Sequence, residues 1–128
     1  MKVECESDYI KVNGKLYPCT VSLAMDFVGG KWKTVILYHL KDGCRRYNEL
    51  RKEMPSVTER TLSLQLKQLE DDGLVTREVY GDKPPVKVVY GLTDFGKTFL
   101  PVLDALFGWG NQIATERGEF VKVAMPAK

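Results

Sequence analysis

The side chains with the most recognisable chemistry lie in residues 58–72. If this segment is helical, with about 3.6 residues per turn, Leu62, Leu66 and Leu69 form one apolar stripe. The remaining faces present the candidate contact residues, which are Thr58, Arg60, Thr61, Ser63, Leu64, Lys67 and Gln68. Arginine can donate to guanine O6 and N7, glutamine can pair with adenine, and serine or threonine can reach a base or a phosphate. The pattern predicts a helix that enters the major groove of DNA; the alternative is an ordinary solvated helix face.

A two-stranded ribbon is predicted immediately after this helix. Residues 74–80 and 86–92 have strand character, and the charged, proline-containing loop 81–85 joins them. A helix followed by such a ribbon is the layout of a winged helix-turn-helix, in which the ribbon touches the DNA backbone beside the groove. The basic residues predicted to make these contacts are Arg77, Lys83 and Lys87.

Positive charge is concentrated just before the predicted recognition helix. The whole chain has a net charge of only +2, whereas residues 31–52 contain seven basic and two acidic residues, a net charge of +5. Arg45, Arg46 and Lys52 precede the helix and are predicted to hold backbone phosphates. The distribution of charge, more than its total, therefore favours a nucleic-acid partner.

Stepwise along the chain, the periodicity predicts a mainly α fold with a small β-hairpin, in the order α-α-α-α-β-β-α. The helices are expected at residues 21–28, 31–40, 47–53, 58–72 and 94–116. The first and last helices carry more apolar surface than one small core can bury, so a symmetric dimer paired through these two helices is predicted. The expected organisation is a polar arm with little regular structure (1–18), the winged domain with its dimerisation helices (19–117) and a tail (118–128).

Other functional classes find little support in the sequence. The 128 residues fit one domain, and no apolar run reaches the roughly 20 residues that span a bilayer. The polar N-terminus lacks the apolar stretch of a signal peptide, so a cytoplasmic location and no membrane partner are expected. No phosphate-binding glycine loop or catalytic triad is present, which argues against an enzyme. With His39 the only histidine, no metal site and no cofactor are predicted.

Taken together, the motifs of the chain resemble those of the HxlR-type family of winged-helix transcriptional regulators, over residues 17–110. The motifs that carry the resemblance are YPC (17–19), GGKW (29–32), YNEL (47–50), RTLSxxLKxLExxGLV (60–75), RxVY (77–80), PxKVxYxLT (85–93) and WG (109–110). The resemblance implies a dimeric, cytoplasmic bacterial or archaeal repressor or activator that binds a double-stranded operator. A winged-helix module for protein–protein contact is the competing interpretation, and it would tolerate the loss of Arg60 and Lys67.

The same resemblance implies a sensor cysteine just before the first helix. Cys19 is the matching position, although Thr20 stands where the family often has proline. Cys19 would lie one residue before the expected N-cap, where the positive helix end favours a thiolate and attack on small electrophiles or oxidants. A small buried hydrophobic side chain is the alternative role. Cys5 could serve as a resolving partner, and Cys44 is interpreted as a loop residue.

Overall fold

The computed structural model of the chain describes residues 9–121, with the elements in the order β-β-α-α-β-α-α-β-β-α-α. The strands are β1 (Ile10–Val12), β2 (Lys15–Tyr17), β3 (Arg45–Arg46), β4 (Val75–Tyr80) and β5 (Lys87–Leu92). The helices are α1 (Thr20–Val28), α2 (Lys33–Leu40), α3 (Tyr47–Glu53), α4 (Glu59–Asp71), α5 (Asp94–Lys97) and α6 (Leu100–Arg117). None of the helices within residues 9–121 is long and apolar enough to cross a membrane.

The helix-turn-helix core is built on the apolar face of α4. Leu62, Leu66 and Leu69 have no exposed surface, as their shared stripe predicts. The side chains around them form one cluster from α2, α3, α4 and the sheet: Ile36, Leu37, Leu40, Leu50, Met54, Leu74, Val75 and Tyr90. Gly73 ends α4 with a φ of 80°, and the Leu74 amide donates to the Leu69 carbonyl at 2.9 Å. This left-handed cap turns the chain directly into β4.

The prediction of an irregular N-terminal arm is wrong for the described part of that arm. β1 and β2 form an antiparallel hairpin in which Val12 pairs with Lys15. The two loop residues, Asn13 and Gly14, have φ values of 52° and 80°. An Asn-Gly pair adopts this left-handed loop readily, so the hairpin signal was present in the sequence. Residues 1–8 and 122–128, including Cys5, lie outside the described residues.

A third strand extends the predicted hairpin into a sheet of order β3-β5-β4. Arg45 pairs with Tyr90 and Arg46 with Val89, so both arginines are strand residues that lead directly into α3. From the sequence alone, both arginines are expected only to precede the recognition helix. A two-residue strand is too short to show alternation, and its partner lies more than forty residues away in the sequence.

The long helix predicted at residues 94–116 is divided into α5 and α6. Pro101 stands in the first turn of α6 and has no N–H to continue the hydrogen bonding of α5. Thr98 and Phe99 form the turn between the two helices. α6 therefore begins as a separate helix at Leu100.

The two ends of the fold carry the least buried helices. Within residues 9–121, α1 has no buried residue and α6 has one, Leu103. The exposed apolar side chains on α1, α5 and α6 are Val21, Met25, Phe95, Val102, Leu106, Phe107, Trp109 and Ile113. This surplus of apolar surface on the first and last helices agrees with the prediction made from the sequence.

Candidate nucleic-acid interface

The start of α4 is fixed by a pair of threonines. The Thr61 amide donates to the Thr58 hydroxyl oxygen at 3.1 Å, and the Thr58 hydroxyl donates to Thr61 Oγ1 at 2.9 Å. Thr58 is thus the N-cap that the sequence predicted, and its side chain satisfies one of the unpaired amides of the first turn. Both predicted contact residues are held in place before any ligand arrives.

Tyr47, which is not among the contact residues predicted from the sequence, joins α3 to α4. Its hydroxyl lies 3.1 Å from Ser63 Oγ and donates to the Glu59 carbonyl at 3.4 Å. Arg51 adds an ion pair with the Glu59 carboxylate at 3.6 Å. These contacts connect the two helices of the motif. Sixteen residues separate Tyr47 from Ser63, and sequence spacing alone gives no sign of such a contact.

The centre of the outward face of α4 contains Arg60, Leu64, Lys67 and Asp71. Lys67 Nζ lies 3.1 Å from Asp71 Oδ1, an exposed pair one helical turn apart. The hydrogen bond to Asp71 raises the pKa of Lys67, and the nearby charge of Arg77 opposes that effect.

The register of the hairpin separates the predicted basic residues of the wing. Arg77 is paired with Tyr90, and Lys87 is paired with Tyr80, which lies three positions after Arg77 on β4. Paired residues lie on the same face of the ribbon, and an odd number of positions separates the two pairs. Because successive side chains alternate between the two faces of a strand, Arg77 and Lys87 lie on opposite faces of the ribbon. Lys87 Nζ lies 5.6 Å from the centre of the Tyr80 ring. Lys83 is exposed in the loop between the strands.

The two arginines of β3 differ in how accessible their side chains are to a phosphate. Arg45 Nε lies 3.3 Å from Glu53 Oε2, and His39 Nδ1 lies 3.1 Å from the other oxygen of the same carboxylate. The Arg46 side chain is exposed, while its amide donates to Glu49 Oε1 at 2.8 Å at the start of α3. Arg46 is consequently the better placed of the two to meet a phosphate.

Cys19 is the N-cap of α1, one residue earlier than predicted. Its Sγ accepts a hydrogen bond from the Ser22 amide at 3.4 Å, so the helix begins at Thr20. The side chain is half-buried. Tyr17 and Asp26 fasten the preceding hairpin to α1, since the Tyr17 hydroxyl donates to Asp26 Oδ2 at 2.5 Å. The sulfur therefore belongs to the backbone hydrogen bonding of α1.

Cys44 is exposed in the turn before β3 and lies against Gly91, where an added Cβ would come within 2.7 Å of the sulfur. Within residues 9–121, Cys44 forms no disulfide. In residues 9–121, no three metal-binding side chains come together in a way that could hold a metal ion.

Comparison with known proteins agrees with this architecture. The HxlR-like helix-turn-helix family matches residues 27–118. The HTH-type transcriptional regulator YdeP of Bacillus subtilis is 51% identical over 94 residues, which cover 73% of each chain.

Two solved regulators have the same fold. The redox regulator HypR in its oxidised form has a TM-score of 0.69 and 48% identity, over 73% of this chain and 96% of that chain. The reduced form of the transcriptional regulator YodB from B. subtilis has a TM-score of 0.64 and 31% identity, over 79% and 98% of the two chains. The similarity predicted from the motifs is confirmed, and the relatives are regulators rather than enzymes. The chain belongs to the HxlR-like helix-turn-helix family of transcriptional regulators.

Proposed function

We propose that this regulator is a cytoplasmic homodimer that binds a specific operator through α4, and that modification of Cys19 switches the binding. The outward face of α4 carries the DNA-binding part of the proposal. Arg60 and Gln68 have donor groups suited to base edges, and neither has a side-chain hydrogen bond or ion pair within residues 9–121. Arg46, Arg77, Lys83 and Lys87 surround that face or lie on the wing, where they would contact phosphates.

The exposed apolar surface of α1 and α6 supports the dimer. Trp109 is 62% exposed and Phe107 is 54% exposed, although aromatic side chains of this size are ordinarily covered in a stable protein. Two copies related by a twofold axis would cover each other's helices with the same surface. The dimer would present two copies of α4, so the operator should contain two half-sites in inverted orientation.

The position of Cys19 supports the switch. The thiol lies at the positive end of α1, where a thiolate is favoured, and its sulfur accepts the Ser22 amide. Oxidation by a reagent such as diamide would remove two electrons and two protons from a pair of thiols and form an S–S bond. A disulfide sulfur is a poorer acceptor than a thiolate, so α1 would lose its cap. Since α1 belongs to the proposed dimer surface, the relative position of the two α4 helices would change.

The similarity to HypR and YodB adds support of a different kind. HypR is a redox regulator known in oxidised and reduced forms, and YodB is known in reduced and diamide-treated forms. These properties belong to those proteins. For this chain they make oxidants the first class of signal to test.

Selection of bound sequences from random DNA, with and without diamide, tests the proposal in one experiment. We expect the wild-type protein to enrich an inverted repeat, and diamide to change that enrichment strongly. Cys19→Ser should enrich the same repeat under both conditions, whereas the matched variant Cys44→Ser should respond to diamide like the wild type. A Cys19→Ser protein that still responds would exclude this cysteine as the sensor, and the absence of any enriched sequence would refute operator binding.

A further inference from the structure

The outward face of α4 divides into side chains that are engaged within the chain and side chains that are not. Thr58 bonds to Thr61, and Ser63 bonds to Tyr47. Lys67 pairs with Asp71. What remains on this face is a row with a spacing of four residues, consisting of Arg60, Leu64 and Gln68. Side chains four apart are neighbours on a helix surface, so these three form one continuous strip.

Leu64 is the unexpected member of that strip. Leu64 is 52% exposed, whereas the other three leucines of α4 are completely buried: Leu62, Leu66 and Leu69. Leu64 belongs to α4 and not to α1 or α6, the helices proposed to form the dimer surface. A single exposed leucine is common on protein surfaces, but this one stands between two potential base-contacting side chains.

The major groove contains one methyl group that such a side chain can contact. Thymine presents its 5-methyl group there, and the other base edges present hydrogen-bond donors and acceptors. Leucine has no polar atom, so packing it against a donor or acceptor would remove water from that group without replacing the hydrogen bond. In a major groove, the isobutyl group of Leu64 would therefore favour contact with the 5-methyl group of thymine over contact with hydrogen-bond donors and acceptors.

We propose that Leu64 recognises the 5-methyl group of a thymine in each half-site, between the bases contacted by Arg60 and Gln68. This inference rests on the proposed binding of an operator by α4. It assigns Leu64 a role in base selection, which differs from the role of the phosphate-contacting lysines and arginines. The recognised group is a methyl, so deoxyuridine, which differs from thymidine only in lacking it, is the appropriate probe.

The test uses the enriched operator with each thymine replaced singly by uracil, at the equivalent position in both half-sites. Binding of the 128-residue chain is measured by fluorescence anisotropy. At one position, we expect uracil to weaken wild-type binding by about fourfold per half-site, the factor that corresponds to burial of one methyl group. Leu64→Ala should bind the thymine and uracil operators equally. Leu64→Met, which keeps an apolar side chain, should restore a preference for thymine.

Leu16→Ala is the matched control, because Leu16 is an exposed leucine on β2 and lies outside α4. It should retain the full preference of the wild type for thymine. The inference is overturned if no uracil substitution affects wild-type binding, or if Leu64→Ala discriminates thymine from uracil as the wild type does. A wild-type protein with no preferred sequence would overturn operator binding and this inference together. Specific wild-type binding whose affinity does not change when any thymine is replaced by uracil would overturn this inference and leave operator binding intact.

Discussion

The two helices α4 and α6 use apolar residues in opposite ways. α4 places Leu62, Leu66 and Leu69 against its own chain with no surface left exposed. α6 is longer, with 18 residues against 13, yet within residues 9–121 it buries only Leu103. The apolar face of α4 is therefore buried within one copy of the chain, whereas most apolar side chains of α6 remain exposed in one copy.

This difference distinguishes the apolar residues that stabilise the fold of one chain from the apolar residues that are available for contact with another molecule. The polar face of α4 remains exposed because its apolar face packs into the core, and this polar face is the one proposed to contact DNA. The apolar side chains of α6 remain exposed in one copy of the chain, and a second copy is proposed to cover them. The first helix, α1, resembles α6 in this respect, since none of its residues is buried within the described part of the chain.

The largest expected effect is the loss of a buried leucine of α4. Leu66→Ala should lower the free energy of unfolding by about 2–5 kcal/mol, because it removes three carbon atoms from a close-packed core. Leu64→Ala, on the exposed face of the same helix, should change it by less than about 0.5 kcal/mol. Urea unfolding of both variants measures the contrast. Equal losses would mean that the two faces of α4 are not different in packing.

An intermediate effect is expected on α6. Trp109→Ala should weaken the dimer by about 2 kcal/mol or more, since a large aromatic side chain at the centre of an interface is a frequent hot spot. Sedimentation equilibrium over a range of protein concentrations measures the change. Phe120→Ala is the matched control, because Phe120 is an exposed aromatic residue beyond the end of α6. A wild-type protein that remains monomeric at all concentrations would contradict the proposed role of α6.

The contrast between α4 and α6 was predictable from the sequence because it depends on local periodicity. The spacing of Leu62, Leu66 and Leu69 is that of one helix face, and the threonine and glycine at the ends of α4 have well-known capping roles. The surplus of apolar residues in the first and last helices is visible from composition alone. Local signals of this kind need no knowledge of the tertiary fold.

The features that were missed depend on contacts between distant segments or on single positions. β3 exists only because Arg45 and Arg46 pair with β5. Glu53 is shared by Arg45 and His39, three residues from three different elements, and no spacing rule relates them. The Asn13-Gly14 hairpin is a different case, because its local signal was present but was given too little weight beside the polar composition of the arm.

The smallest expected effect on stability concerns the contacts that attach α1 to the N-terminal hairpin of the same chain. In the described residues, the hydrogen bond from Tyr17 to Asp26 joins β2 to α1, and Lys15 Nζ lies 3.2 Å from the same carboxylate oxygen. The hydrogen bond to Asp26 raises the pKa of Tyr17 from 10.0 to about 12. The same bond, followed by that from Lys15, lowers the pKa of Asp26 below its ordinary value of 3.8.

These two directions define a pH range in which the attachment stabilises the fold. Tyr17 holds its proton more tightly in the folded chain, so its contribution is complete below about pH 10 and disappears as the pH rises toward 12. Asp26 binds its proton more weakly in the folded chain, so its contribution is complete above its ordinary pKa and is lost as the pH falls through its lowered value.

Tyr17→Phe isolates the upper limit of that range, because it removes the hydroxyl and keeps the ring. The wild type should exceed this variant in urea midpoint at pH 7, and the difference should shrink steadily between pH 10 and 12. Tyr9→Phe, at an exposed tyrosine in the same segment, should show no such difference at any pH. If the difference for Tyr17→Phe stays constant up to pH 12, loss of the Tyr17 proton does not weaken the attachment of α1, which would contradict the raised pKa of Tyr17.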